Sequence, residues 1–137
     1  MPPDTALVRR KLSKLIEYLT EIGTLTKYTL DEYLSNHFIH RTAERLLQLI
    51  VEVSTDINGY LLVDAGEKPP SSYYDSFTNL IQPGILDREL ALKLAPITGL
   101  RNDYEEIDNE LVYRGIGVIT EIYHKYIESI EAYLERI

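Results

Sequence analysis

Apolar residues recur at helical spacing along most of the chain, and no segment shows sustained alternation of apolar and polar residues. Residues 6 to 22 place apolar side chains three and four positions apart, at Leu12, Leu15, Ile16, Leu19 and Ile22. This spacing predicts an amphipathic helix that ends at Gly23. The sequence Thr29-Leu30-Asp31-Glu32 is a capping box, and it predicts a short second helix that runs to about Ser35.

The middle of the chain predicts one long helix between His37 and Ala65. Gly59 is the only Gly or Pro in this stretch. Its apolar residues repeat at helical steps, at Leu46, Leu47, Leu49, Ile50, Val53, Ile57, Leu61 and Leu62. Residues 66 to 72, GEKPPSS, combine a helix-ending glycine, two prolines and small polar residues, so they predict a loop.

The C-terminal half predicts three further helical segments. A short helix from Tyr74 to Ile81 ends at Pro83-Gly84. Residues 87 to 101 resume helical spacing, but Pro96 removes a backbone hydrogen bond and should bend this segment. The predicted fold is therefore an all-α bundle of four principal helices and one or two short ones, in a single domain that covers residues 1–137.

The last helix is predicted to begin after Asp108 and to continue to the C-terminus. Asp108 is a suitable N-cap, and Ile107 before it is positioned to pack against Val112. The apolar positions of this helix are Leu111, Val118, Ile119, Ile122, Tyr126, Ile127, Ile130, Tyr133 and Leu134.

The composition agrees with one globular domain and excludes several kinds of functional site. The chain has 137 residues, of which 45% are hydrophobic. It contains no cysteine, which excludes disulfides, thiolate metal sites and a cysteine nucleophile. Neither a signal peptide nor an apolar run long enough to span a bilayer is apparent, so we expect a cytoplasmic protein.

The formal net charge of −8 limits the partners that the chain can bind. Extended nonspecific binding to nucleic acid depends on many Lys and Arg contacts with phosphates, and this charge argues against it. A small local phosphate site remains compatible with the charge. The acidic surface also suits a partner protein that has a basic face.

The stretch GLRNDYEEIDNELVY, residues 99 to 113, contains the most suggestive candidate chemistry. Arg101-Asn102 is followed almost at once by Tyr104 and an acidic run. An arginine can hold a phosphate through two parallel hydrogen bonds. Taken alone, however, Arg101 is more typical of a solvated or helix-capping residue, and Tyr104 of a packing residue.

Three stretches together resemble the HepT-like branch of the HEPN superfamily, in which all-helical ribonuclease toxins are paired with nucleotidyltransferase antitoxins. They are RTAERLLQLIVEVSTDINGYLL at 41 to 62, LKLAPITGLRN at 92 to 102, and DYEEIDNELVY at 103 to 113. The family motif is an Arg, four intervening residues, a His, one further residue and a Tyr, with Asn commonly after the Arg.

This chain matches both ends of that motif and lacks its centre. Arg101-Asn102 matches the start and Asp103-Tyr104 the end, whereas four residues, including the His, are absent. The gap is either a natural degenerate copy or a deliberate deletion. Metal-independent RNA cleavage needs a group that transfers protons near neutral pH, and His is the usual one. We therefore expect the chain to be inactive or severely impaired.

The resemblance also implies an assembly and a partner. It implies a homodimer in which two motifs face each other across a cleft, with cellular RNA such as tRNA as the substrate. It implies that Arg101 and Asn102 belong to the catalytic motif and that no cofactor is needed. It further implies that Tyr104 is the residue to which a cognate MNT-type antitoxin adds AMP, a modification that blocks the cleft.

Other polar residues have two interpretations. Four residues of the central helix recur every four positions, which places them on one slowly drifting stripe: Glu44, Gln48, Glu52 and Asp56. The stripe is either a solvated face or part of the dimer cleft beside Arg101. His37 and His40 lie three residues apart but make only a weak case for a metal site. The acidic run after Tyr104 suits the positive N-terminal end of the last helix.

Two functions from other classes remain open. One is a noncatalytic helical interaction module that supports a nucleotidyltransferase partner. The other, a weaker hypothesis, is a four-helix protein that holds a small ligand in its core.

Overall fold

The computed structural model describes residues 5–101 and 108–137. All regular structure in these two ranges is helical, which confirms the predicted all-α class. The helices are α1 (Thr5–Thr24), α2 (Leu30–Ser35), α3 (His37–Asp64), α4 (Tyr73–Thr78), α5 (Arg88–Leu94) and α6 (Asn109–Arg136). Two 3-10 segments cover Leu25–Lys27 and Ala95–Arg101.

Helix α2 begins with the predicted capping box. The Thr29 hydroxyl accepts a hydrogen bond from the Glu32 amide at 3.1 Å, and the Glu32 carboxylate accepts one from the Thr29 amide at 2.9 Å. These two bonds satisfy amides that have no partner inside the helix. Hydrogen bonding of the Glu32 carboxylate to the Thr29 amide, and to the Thr29 side chain, lowers the pKa of Glu32 below its usual value.

Helix α3 ends as the loop sequence predicts, in a Schellman motif. Gly66 has a φ of 84°, in the left-handed region that favours glycine. The Glu67 amide donates to the Leu62 carbonyl at 2.9 Å, and the Gly66 amide donates to Val63 at 3.1 Å. The chain then leaves the helix at the two prolines.

Pro96 divides the fourth principal segment, as predicted. Helix α5 ends at Leu94, and the chain continues as the second 3-10 segment from Ala95 to Arg101. A proline cannot donate to the preceding turn and clashes with it, so a tighter helix replaces the α-helix here. This segment packs against α3 and α4.

Two predicted helix ends differ from the structure, and two apolar residues of α6 lie outside the core. Helix α1 does not end at Gly23 but continues to Thr24 and then tightens into the first 3-10 segment. Helix α4 is shorter than expected and ends at Thr78 rather than Ile81. Leu111 and Val118 of α6 are exposed, because both lie on the face that points away from the bundle.

Helix α3 occupies the centre of the bundle. Helix α1 runs antiparallel to it, since Lys11 near the start of α1 pairs with Asp56 near the end of α3. Helix α6 runs parallel to α3, because Tyr123 contacts Ser54 and the later Tyr126 contacts Asn58. The N-terminal ends of α3 and α6 therefore lie at the same end of the bundle.

A buried polar network links α3, α4 and α6. The Tyr126 hydroxyl donates to Asn58 Oδ1 at 2.6 Å, and Asn58 Nδ2 donates to the Ser76 hydroxyl at 3.1 Å. The Tyr123 hydroxyl lies 3.0 Å from Ser54 Oγ. Burial raises the pKa of both tyrosines, so both stay protonated at neutral pH. The network holds α4 in place, and α4 supports the 3-10 segment that ends at Arg101.

The expectation that no segment is apolar enough to span a bilayer is corrected for α3, which is long and apolar enough to cross a membrane when judged by length and composition alone. More than half of its most apolar stretch, 56%, is buried inside the bundle. The apolar residues of α3 are thus largely covered by protein, as in the core helix of a helical bundle.

Candidate functional site

The structure describes part of the predicted motif. Arg101 is the last residue of the second 3-10 segment, whereas Asn102 and Tyr104 lie outside the described residues. The chain resumes at Asp108, whose carboxylate caps α6 by accepting from the Leu111 amide at 3.1 Å. The described residues that follow the motif in sequence are those at the start of α6.

A group of polar side chains lies at that end of the bundle, and we refer to it as the α2–α3–α6 cluster. It consists of Tyr33 from α2, His40 and Glu44 from α3, and Asn109 and Tyr113 from α6. The Tyr33 ring centroid is 5.0 Å from that of Tyr113 and 6.4 Å from that of His40. Asn109 lies one helical turn before Tyr113. Tertiary packing thus brings residues of three helices together near the start of α6.

The cluster contains a histidine next to a carboxylate. His40 Nδ1 lies 3.9 Å from Glu44 Oε1, and 16% of the His40 side chain and 26% of the Glu44 side chain are exposed. The His37 ring meets the His40 ring edge-on, with 5.2 Å between centroids. This arrangement places a proton-accepting ring beside an acidic group in a partly enclosed environment.

Tyr33 is completely buried, and its surroundings disfavour the charged form. Burial and, to a smaller extent, the nearby Glu44 carboxylate together raise the pKa of Tyr33 to about 12. Both effects oppose a negative charge on the phenol oxygen. The hydroxyl therefore remains a hydrogen-bond donor throughout the physiological pH range.

Several buried polar atoms of the α2–α3–α6 cluster lack a hydrogen-bond partner. Among the described residues, three buried side-chain atoms have no hydrogen-bond partner: Tyr33 Oη, His40 Nδ1 and Asn109 Oδ1. All three belong to this cluster. By contrast, the Tyr113 hydroxyl donates to the Tyr28 carbonyl. An unsatisfied buried polar atom costs about 1–3 kcal/mol, so three in one place indicate a role other than stability.

Replacing Tyr33 by phenylalanine should be neutral or slightly stabilising at pH 7, by up to about 1 kcal/mol, because the lost hydroxyl has no partner. Above pH 10 the unfolded phenol ionises while the folded one keeps its proton, so the wild type loses stability as pH rises from 10 towards 12. The Tyr33→Phe variant should lose less free energy of unfolding over this pH interval.

Urea denaturation at pH 7 and at about pH 11 measures both effects. Tyr113→Phe is the matched control, since it removes a partnered hydroxyl and should cost about 1 kcal/mol at pH 7. Equal destabilisation of the two variants at pH 7 would show that the Tyr33 hydroxyl has a partner after all.

The stripe on α3 divides into two parts. Glu44 points into the cluster, and Gln48 is half-buried with its amide oxygen 3.4 Å from the Arg45 guanidinium. Glu52 is exposed, and Asp56 pairs with Lys11 of α1 at 3.4 Å. Glu44 is therefore the member of the stripe that lies with the cluster, whereas Asp56 lies towards the other end of α3.

From the sequence, His40 is only a weak metal candidate, because its place in the cluster depends on tertiary packing. One local signal was present: Glu44 follows His40 by four residues, which places both on the same face of a helix. The contribution of Tyr33 depends on how α2 packs against α6. No spacing in the sequence predicts that contact.

Comparison with known proteins identifies relatives over nearly the whole chain. Residues 15–137 match the family described as ribonuclease HepT-like. The tRNA nuclease HepT of Aphanizomenon flos-aquae is 31% identical over 135 residues, which cover 96% of this chain and 92% of that protein.

Solved structures show the same fold. The tri-AMPylated HEPN toxin of Shewanella oneidensis, solved in complex with its MNT antitoxin, superimposes with a TM-score of 0.84. It is 22% identical, and the match covers 91% of this chain and 96% of the toxin. The cytosolic protein YutE of Bacillus subtilis, of unknown function, gives a TM-score of 0.81 at 18% identity, over 98% of this chain and 92% of YutE.

Proposed function

The chain belongs to the ribonuclease HepT-like family, and from this premise we propose that it is the toxin component of a HEPN/MNT toxin–antitoxin pair. Its activity is metal-independent endoribonucleolytic cleavage of cellular RNA such as tRNA, in the cytoplasm. The observation that carries this proposal is the 31% identity to a tRNA nuclease over 96% of the chain.

Arg101 and Asn102 are the residues of this chain that serve the reaction. The guanidinium of Arg101 binds a backbone phosphate and stabilises the negative charge that develops on its oxygens during cleavage. The adjacent Asn102 side chain adds hydrogen bonds to the RNA. The packing of the 3-10 segment against α3 and α4 supports a fixed position for the Arg101 backbone.

Without the motif histidine, RNA cleavage by this chain is severely impaired. An attacking 2′-hydroxyl must lose its proton as it bonds to phosphorus, and Arg101 cannot accept that proton because arginine stays protonated. General acid–base catalysis typically contributes about 10²–10⁴-fold in rate. The chain is therefore a ribonuclease scaffold that retains phosphate binding and lacks its main proton-transfer group.

The functional unit is a homodimer in which the two motifs line a shared cleft. Residues on the first half of the α3 stripe, Glu44 and Gln48, border this cleft. The position of Glu44 in the α2–α3–α6 cluster supports this placement, and Gln48 lies one helical turn further along α3. Light scattering that finds a stable monomer at micromolar concentration would contradict the dimer.

The cognate nucleotidyltransferase antitoxin adds AMP to Tyr104. Incubation with that antitoxin and ATP should raise the intact mass of the chain by one or more AMP units. Tyr104→Phe removes the acceptor hydroxyl and should leave the mass unchanged. An unmodified wild-type chain, or equal modification of Tyr104→Phe, would contradict this assignment.

A second candidate function is a noncatalytic helical module that supports a nucleotidyltransferase partner. The observation that favours it is the absence of a histidine between Arg101 and Tyr104. RNA cleavage by a chain with the histidine restored separates the two functions. Cutting that depends on Arg101 supports the toxin, and continued inertness of a folded chain supports the module.

A further inference from the structure

We propose that the outward face of α3 binds single-stranded RNA through Phe38, Arg41 and Arg45, which we call the Phe38 patch. The aromatic ring stacks on a base, and the two guanidinium groups bind backbone phosphates. The inference rests on the proposed ribonuclease function, because that function supplies the RNA. It assigns a binding surface outside the motif, and it does not depend on where Arg101 lies.

Phe38 is 83% exposed, more than any other large apolar residue in the part of the chain that the structure describes. Its backbone is held in the first turn of α3. The Asn36 side chain accepts a hydrogen bond from the Phe38 amide at 3.0 Å, and the Thr42 hydroxyl donates to the Phe38 carbonyl at 2.7 Å. At this exposure the ring contributes little to the core. An aromatic ring that is anchored through its backbone and open to solvent can stack on an unpaired base.

The two arginines lie on the same face of α3 as Phe38. Arg41 and Arg45 follow it by three and seven residues, so the three positions fall within about 60° around the helix and about 10 Å along its axis. Both arginines are exposed. The buried residues Ala43 and Leu47 lie on the opposite side of this stretch, towards the core. The patch therefore points away from the bundle.

The positive charges of the patch are not neutralised by acidic residues. Among the described residues, neither Arg41 nor Arg45 forms an ion pair. Arg45 donates one hydrogen bond, at 3.4 Å, to the neutral amide oxygen of Gln48. The Glu44 carboxylate lies towards His40 in the α2–α3–α6 cluster. In a chain with a net charge of −8, two exposed arginines without acidic partners are suited to bind phosphates at one local site.

A ring beside two guanidinium groups favours a single strand over a duplex. Proteins bind single strands by combining cationic contacts to the backbone with aromatic side chains on which bases stack. Double-stranded RNA keeps its bases paired, and proteins recognise it mainly by shape and through its backbone. The patch is also short, because the next charged residue on this face, Glu52, lies two turns beyond Arg45 and is acidic. A short unpaired segment, such as a tRNA loop, matches these features.

Tyr60 and Arg10 provide matched controls. Tyr60 is 50% exposed on the same helix, but Asp56 and Asp64 lie one turn before and one turn after it. Arg10 is exposed on α1 next to Lys11, which contacts Asp56 near the other end of α3. Tyr60→Ala and Arg10→Gln therefore remove an exposed ring and an exposed charge without changing the patch.

Fluorescence anisotropy of labelled oligouridine and labelled tRNA, in EDTA, measures binding by the full chain. Phe38→Ala and Phe38→Leu should each weaken oligouridine binding by about 5-fold or more, because neither side chain has an aromatic face. Phe38→Tyr keeps the ring and should bind within about twofold of the unmodified chain, as should both controls. A duplex RNA of the same length should bind more weakly than the single strand.

Salt dependence separates stacking from phosphate binding. Arg41→Gln and Arg45→Gln should each reduce the slope of log affinity against log salt concentration by about 0.7, the value for one phosphate contact with a single strand. Phe38→Ala should leave this slope unchanged, because stacking on a base releases no counterions from phosphates. A purely structural role for the three residues would not produce this difference.

Several results would overturn the inference. One is RNA binding that is unchanged in Phe38→Ala and Arg41→Gln, and another is an equal loss of binding in the two controls. A loss of binding together with dissociation of a dimer in light scattering would also overturn it, because the patch would then be an interface between two copies of the chain. In each case the proposed function stands if a chain with the motif histidine restored cuts RNA. If the chain neither binds RNA nor cuts it after this restoration, the proposed function and the inference fail together.

Discussion

Replacing Tyr126 by alanine is expected to lower the free energy of unfolding by about 3–5 kcal/mol. Tyr126 is fully buried, and its ring packs against Phe77 and Tyr123 with centroid distances of 5.6 and 5.7 Å. Its hydroxyl also donates to Asn58 Oδ1 at 2.6 Å and lies 3.2 Å from the Ser54 carbonyl. The substitution leaves a cavity and removes the donor of a buried amide oxygen.

Tyr126→Phe separates these two contributions. It keeps the ring and removes only the hydroxyl, so it should cost about 1–3 kcal/mol from the unsatisfied Asn58 oxygen. Chemical denaturation at neutral pH measures both variants, with the half-buried Tyr133→Phe as a control expected within about 0.5 kcal/mol of wild type. A loss below about 1 kcal/mol for Tyr126→Ala would show that the network does not stabilise the core.

This network also matters for the site. Asn58 connects Tyr126 to Ser76 on α4, and α4 packs against the 3-10 segment that ends at Arg101. Disruption of the network therefore acts on the support of the motif arginine as well as on global stability.

Elements whose boundaries depend on local chemistry could be predicted from the sequence. The capping box at Thr29 and the Schellman motif at Gly66 satisfy backbone groups with residues only a few positions away. Pro96 changes the helix type through its own missing amide. Each of these signals lies within one or two helical turns.

Features that depend on tertiary packing could not be predicted in the same way. Gly23 was expected to end α1, but its helical conformation is compatible with continuation to Thr24. Leu111 and Val118 are apolar like core residues, yet both are exposed, and none of the described helices covers them. Helical spacing alone does not predict which helices pack against a given face.

The candidate site likewise combines residues that the sequence predicts with residues that only the folded structure identifies. The roles proposed for Arg101 and Tyr104 come from the resemblance to the HepT-like family, and the comparisons confirm only the family of this chain. The residues around the start of α6 come from the structure, because Tyr33 and Tyr113 are 80 positions apart in sequence and meet only in the folded chain.

Insertion of Ala-Ala-Ala-His between Asn102 and Asp103 should raise the rate of RNA cleavage by about 10²–10⁴-fold. It restores the family spacing of an Arg, four residues, a His, one residue and a Tyr. Four residues nearly equal one helical turn of 3.6, so the flanking helices can keep their phase while the chain lengthens by about 6 Å. We therefore expect the fold to tolerate the insertion.

Two matched variants test whether the gain in cleavage rate comes from the inserted imidazole. Insertion of four alanines has the same length but no imidazole, and it should leave cleavage at the level of the unmodified chain. Arg101→Ala in the His-containing variant removes phosphate binding and should abolish the gain. Circular dichroism and light scattering show whether each variant keeps its helices and its association state.

The most direct test of the central claim is single-turnover cleavage of tRNA in EDTA by the two insertion variants. The claim is that this chain retains the fold and the phosphate-binding arginine of a ribonuclease and is limited by one missing histidine. We predict rapid cutting by the variant with Ala-Ala-Ala-His and none above the unmodified level by the variant with four alanines. Equal rates from two correctly folded variants would contradict the claim.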